Sequence, residues 1–148
     1  MSGLAKVLAG HTPPGVYHWT SEMKPADVAH AVELADWKFV LLDTWQVEDK
    51  SAFFVACRAA FDFPEEFAPN FDAFADELSD VRGDPDVGVV VLWDGWSPLA
   101  RADRHVFAVA VDVLADRVGL ERSSPFVVLL RGPGPDLPEI PELDPHHL

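Results

Sequence analysis

The sequence has one cysteine, Cys57, in 148 residues. No internal disulfide framework is possible, so stability rests on a core that a chain of this size can bury. Long apolar runs are missing too, and no stretch reaches the roughly 18 residues of a membrane span. The early apolar segment from Leu4 to Ala9 is short and contains Lys6, unlike a secretory signal. These absences lead us to expect a protein of a reducing compartment, the cytoplasm.

Basic residues are also scarce. Lys and Arg number 11 against 25 Asp and Glu, a formal charge of −14. That excess argues against nucleic-acid binding, because a phosphate backbone needs cations to neutralise it. Two readings remain: an acidic surface that only keeps the protein soluble, or one that steers a basic partner inward. Phosphate cradles of the G-x-G-x-x-G or G-x-x-x-x-G-K-[ST] kind are absent. Gly95-Trp96-Ser97-Pro98 does not make a nucleophile elbow. None of the histidines at 11, 18, 30, 105, 146 and 147 stands at ligand spacing with Cys57 or a second helical His. No metal or cofactor is expected, beyond adventitious metal at His146-His147.

What is present is an alternation of apolar runs. Val16 to Trp19 reads as a strand, and Pro25 opens a helix over 25–36 carrying Val28, Ala31, Val32 and Ala35. A buried strand over 38–44 follows. Asp49 caps a helix over 50–61, whose apolar face includes Phe53, Phe54, Cys57 and Phe61. Cys57 reads there as a small buried hydrophobe rather than a nucleophile. A helix over 71–79 comes next, then a loop at 82–85. The run 87–93 is continuous enough for a strand buried on both faces. After a loop at 94–98 comes a helix over 103–118 with Asp103 as cap, then a strand over 126–130. Trp96 suits a core or a partner equally.

The expected fold is α/β. Three core strands form a small, mostly parallel sheet, Val16 to Trp19 adds an edge strand, and helices cover it. Residues 1–131 read as one domain, with 1–37 as an N-terminal extension. Residues 132–148 form a Pro-rich acidic tail whose spacing disfavours helix and ladder, so it is expected extended or disordered.

The most unusual segment is Pro64 to Leu78. Asp72 and Asp76 stand four apart, on one face of the predicted helix, and Asp80 extends that row if the helix continues. Like charges at this spacing cost a helix a few tenths of a kcal/mol each. Only Asp72 recovers part of that, at the positive N-terminal end of the helix dipole. A solvated face and a platform for a cationic site on another protein both fit. Catalysis by the Asp72–Asp76 pair fits poorly, since acid–base work needs carboxylates in divergent, enclosed environments.

The run Pro64, Glu65, Phe67, Asn70, Asp72, Ala73 and Asp76 resembles the barstar family of ribonuclease inhibitors. The order of elements across about 38–131 matches as well, and residues 16–36 look like the extension of longer, actinobacterial-type members. The resemblance implies an inhibitor, not an enzyme, that plugs the basic active site of a guanyl-specific microbial ribonuclease. A one-to-one complex and a free monomer are expected. By position, Asp76 matches the dominant acidic contact, Asp72 a second one, and Asn70 a loop contact. Phe67 falls beside the family's aromatic pair, where Glu66 replaces the first member. Ala75 replaces a large aromatic, and Asp80-Val81 replaces a glycine–tryptophan pair. Asp116 falls roughly at a further acidic contact. With three aromatics gone, the implied partner is related but altered. The alternative is a barstar-fold immunity or regulatory binding protein for another toxin, without ribonuclease inhibition.

Overall fold

Val89 to Leu92 and Phe126 to Leu130 are buried on every residue, so both strands must be covered from two sides. A computed structural model of the chain describes residues 2–81, 87–120 and 124–144. The loop expected at 82–85 and the histidines at 146 and 147 lie outside them. The elements run α1 (Gly3–Leu8), β1 (Val16–Trp19), α2 (Pro25–Leu34), β2 (Lys38–Asp43), α3 (Lys50–Phe61) and α4 (Phe71–Ser79). There follow β3 (Val89–Asp94), α5 (Ser97–Ala102), α6 (Arg104–Val118), β4 (Phe126–Arg131) and β5 (Glu142–Leu143).

The strands form one parallel sheet in the order β2-β3-β4-β1-β5. Alternate side chains point to opposite faces, and the two cores divide by that parity. Val89, Val91, Trp93, Phe126, Val128 and Leu130 feed the larger core, with residues of α3, α4, α5 and α6. Val90, Leu92, Val127 and Leu129 feed the smaller one, with Leu4 and Val7 of α1 and Val28 and Val32 of α2. The sheet is therefore a middle layer, and the N-terminal segment is its second cover. Among the described residues no helix is long and apolar enough to cross a membrane.

Three expectations are corrected. β1 is not an edge strand: it pairs with β4 on one side and β5 on the other. The tail is not excluded from the ladder, because Glu142 and Leu143 fall between Pro141 and Pro145 and keep their amides. His18 N–H donates to the Pro141 carbonyl at 2.9 Å, using an acceptor that proline retains. The loop expected at 94–98 contains the start of α5, with Pro98 in its first turn, where a missing amide costs nothing. Trp96 is core: its ring lies 5.5 Å from that of Phe107, and its indole N–H donates to the Gly132 carbonyl at 3.1 Å.

The expected caps are present. Asp49 accepts from Ala52 N–H at 2.8 Å and Asp103 from Val106 N–H at 3.1 Å. The C-terminal ends of the central strands are tied by polar bonds. Trp93 donates its indole N–H to the Thr44 hydroxyl at 2.6 Å, and that hydroxyl donates to the Gly95 carbonyl at 2.7 Å. Arg131 grips the Asp94 carboxylate with two bonds of 2.9 and 2.6 Å and also donates to the Met23 carbonyl.

At the opposite end of the sheet, Arg117 of α6 is only 2% exposed. Its Nε donates to the Leu78 carbonyl at 2.7 Å and its Nη2 to the Val81 carbonyl at 2.6 Å. These carbonyls lie at and just beyond the last turn of α4, where intrahelical bonds run out, and the Leu78 carbonyl also accepts from Val81 N–H at 3.1 Å. The guanidinium lies 4.4 Å from the centre of the Phe126 ring. Arg117 thus fastens α4 to α6 and to the sheet.

Replacing Arg117 with Met keeps much of the stem and removes the charged donor from both carbonyls, leaving the Leu78 carbonyl its backbone bond from Val81 N–H. The expected cost is about 2–4 kcal/mol, from the two lost charge-assisted bonds. Urea unfolding measures it, and an unchanged midpoint would refute the clamp.

Cys57 is fully enclosed in the larger core, and burial pushes its thiol well above the ordinary range. The native state then holds a proton that the unfolded chain releases from about pH 8.5. Stability contributed this way is present below that pH and is lost as pH rises. Unfolding midpoints of wild type should therefore fall more steeply between pH 8 and 10 than those of Cys57→Ala. A thiol-reactive disulfide reagent should label Cys57 only on unfolding.

Candidate functional site

The loop before α4 is built on aromatic packing. Phe67 is half-buried, its ring 4.9 Å from Phe63 and 6.1 Å from Phe54. Its N–H donates to the Pro64 carbonyl at 3.0 Å, which tightens the turn. Glu65 and Glu66, just before it, are exposed. Asn70 has extended backbone and caps α4, its side-chain oxygen accepting from Ala73 N–H at 2.8 Å. Asn at this position satisfies a donor that the first turn would otherwise leave free.

Helical spacing then divides α4. Phe74 and Leu78 are buried, and Phe71 packs 4.9 Å from the Phe54 ring. Asp72, Ala75 and Asp76 are exposed. Asp80 is the C-cap and keeps a right-handed helical backbone, so it extends the Asp72–Asp76 row by one more turn. Among the described residues, neither Asp72 nor Asp76 takes part in an ion pair. From residue 64 to residue 80 there are six acidic side chains and no Lys or Arg. Arg117 lies against the buried end of α4, and Lys50, at the start of α3, has its ammonium 5.4 Å from the centre of the Phe71 ring.

Asp116 is exposed on α6, one residue before Arg117. Because Arg117 reaches the last carbonyls of α4, Asp116 belongs to the same end of the molecule as Asp80. The structure thus sets Asn70, Asp72, Ala75, Asp76 and Asp80 along one helix and its caps, with Glu66 in the loop before it and Asp116 on the neighbouring helix. Two positions differ from a freely presented surface. Phe67 turns half of its ring into the core, and Val81 is 7% exposed and belongs to that core.

Sequence reasoning missed Arg117. It stands three residues after Leu114 and seven after Ala110, on the stripe that α6 buries, and that spacing was the available signal. Lys50 was missed because its proximity to Phe71 depends on how α3 packs on α4.

The exposed carboxylates are suited to charge-assisted contacts with cations brought by another molecule. They lack the enclosed, contrasting environments of an acid–base pair. Among the described residues, no group of three or more His, Cys, Asp or Glu is placed to hold a metal ion.

The family model described as Barstar (barnase inhibitor) matches residues 37–131. No curated protein matches the chain. The matched stretch runs from the residue before β2 to the end of β4, contains both α4 and α6, and spans more than half of the sequence. The chain therefore belongs to the Barstar (barnase inhibitor) family, with α1, β1, α2 and the tail strand outside the matched stretch.

Proposed function

We infer that this protein is an intracellular inhibitor, an immunity protein, that blocks the active site of a basic guanyl-specific ribonuclease made for export. The observation that carries this reading is the row of Asp72 and Asp76. It is exposed, without ion pairs among the described residues, and held on a helix fastened at both ends by Asn70 and Arg117. A cleft that binds phosphate presents cations at substrate spacing, and carboxylates on a rigid helix can take the places of phosphates. The net charge of −14 adds long-range attraction to a basic enzyme. The protein supplies no catalytic group. It acts in the cytoplasm, as a free monomer that forms a one-to-one complex.

A second reading is favoured by the rim of the site. Glu66, Ala75 and Asp80 are exposed where the family resemblance has aromatics or glycine, and Val81 is core. Aromatics often dominate interface energetics. With that rim, the same acidic helix also suits a barstar-fold immunity or regulatory protein directed at another basic toxin. RNA-cleavage assays with several guanyl-specific ribonucleases separate the two. Full cleavage with excess inhibitor in every case rejects the first reading.

Within the complex, Asp76 should lie deepest among the cationic groups. Asp76→Ala should raise the dissociation rate about 30-fold or more, a scale that charge pairs at the barnase–barstar interface itself helped to set. Glu33→Ala, on α2 across the sheet, should leave the rate unchanged. Surface plasmon resonance on both variants is the test, and equal rates for Asp76→Ala and wild type would move the site elsewhere.

The association rate should fall steeply as ionic strength rises from about 0.05 to 0.5 M, because steering between opposite charges is screened within a Debye length. A stopped-flow association rate independent of salt would contradict electrostatic capture.

A further inference from the structure

The tail reads Pro135-Asp136-Leu137, Pro138-Glu139-Ile140, Pro141-Glu142-Leu143, three successive triplets of proline, acid and aliphatic residue. The fold separates the acidic from the aliphatic members of these triplets. Leu137 and Ile140 pack on the larger core and Leu143 is buried in the smaller one, while Asp136, Glu139 and Glu142 stay exposed. A turn, closed by Ile140 N–H donating to the Leu137 carbonyl at 3.1 Å, bends this strap beside α6.

The strap does not lie flush. Between it and α6 runs a groove of about 190 Å3, floored by Phe107, Val111, Leu137 and Ile140. Its rim carries Asp112, Asp136 and Glu139, all exposed and in no ion pair among the described residues. Residues 132–144 contain no Lys or Arg. The basic groups Arg104 and His105 stand in the first turn of α6, about 10–12 Å along the axis from Asp112. An apolar floor alone fits any hydrophobe, and carboxylates alone are simply hydrated. Together they match a side chain with an apolar stem and a cationic head. The volume is below the roughly 300 Å3 at which pockets for drug-sized molecules begin, and it suits single side chains.

We propose that the groove between α6 and the strap is a second protein-contact surface, which takes a Lys- or Arg-bearing apolar segment of a basic partner. Asp116, one turn beyond Asp112 on α6, continues the acidic rim toward the end of α4. The two acidic surfaces are thereby joined along α6. The strap lies beyond residue 131, where the family match ends, so the groove joins a matched helix to a segment outside the match. The proposal stands whether or not α4 inhibits a ribonuclease.

The test titrates the isotope-labelled full chain with an acetylated, amidated Lys-Leu-Lys-Leu-Lys peptide and follows backbone amides by NMR. Saturable shifts are expected at Val111, Asp112, Leu137, Glu139 and Ile140. The double variant Asp136→Asn/Glu139→Gln should weaken binding about threefold or more. Ala108→Trp, from an exposed position lining the groove, should abolish it by filling the space. Glu33→Gln on α2 should change nothing. Equal binding of a Glu-Leu-Glu-Leu-Glu peptide, or unchanged affinity in the double variant, would overturn the proposal. So would shifts confined to α4, which would leave the reading of α4 standing. Groove binding in a protein that inhibits no ribonuclease would support the proposal and reject that reading alone.

Discussion

The buried Arg117 guanidinium is the interaction on which the geometry of the acidic helix depends. α4 has nine residues, too few to be stable alone in water. Its row of like charges works against it, and Asp80 sits at the end where the helix dipole is negative. Packing of Phe71, Phe74 and Leu78 holds one side of the helix, and backbone N–H groups of Asp80 and Val81 reach the Glu77 and Leu78 carbonyls. Arg117 adds charged donors from α6 to the Leu78 and Val81 carbonyls, and it places a positive charge where the helix dipole calls for one. The outer face of α4 can therefore remain acidic.

The same arginine bears on the shape of the site. By holding the Val81 carbonyl, it fixes the chain just after α4 with the Val81 side chain in the core. A residue in that orientation is unavailable to a partner, whatever its size. Ala75, on the exposed face, adds little relief beside the two aspartates. The surface is thus a row of carboxylates with low surroundings. Any cleft that closes on it must bring its own bulk to exclude water, since desolvation is what gives charge pairs in an interface their weight.

Much of this was legible in the sequence. The continuous apolar run at 87–93 announced two-sided burial, and the four-residue spacing of Asp72 and Asp76 announced a shared helix face. Asp49 and Asp103 cap helices because short polar side chains favour those positions over helix interiors. What was not legible depends on distant residues. β1 is interior rather than peripheral only because Glu142 and Leu143, more than 120 residues later, pair with it. Trp96 had no local signal for burial; the carbonyl that takes its indole N–H belongs to Gly132. The spacing of Arg117 after Ala110 and Leu114 marks it for the buried stripe of α6, but only the packing of α6 on α4 brings it to the carbonyls.

The segments outside the family match are integral to the sheet rather than appended to it. Val90, Leu92, Val127 and Leu129 are apolar side chains on the face away from α3, α4 and α6. Uncovered, they would form an exposed apolar patch of the kind that drives association. α1 and α2 cover that face. The strap in turn fixes α1, whose Gly3 N–H donates to the Asp144 carbonyl at 3.1 Å. A Cβ on Gly3 would lie 2.5 Å from that same oxygen, so the close approach of α1 and the strap requires glycine there. The N-terminal cover, the sheet and the strap consequently constrain one another. The strap reaches Gly3 only after passing α6, the helix that carries Arg117, so one continuous set of contacts links the cover of one face of the sheet to the acidic helix on the other.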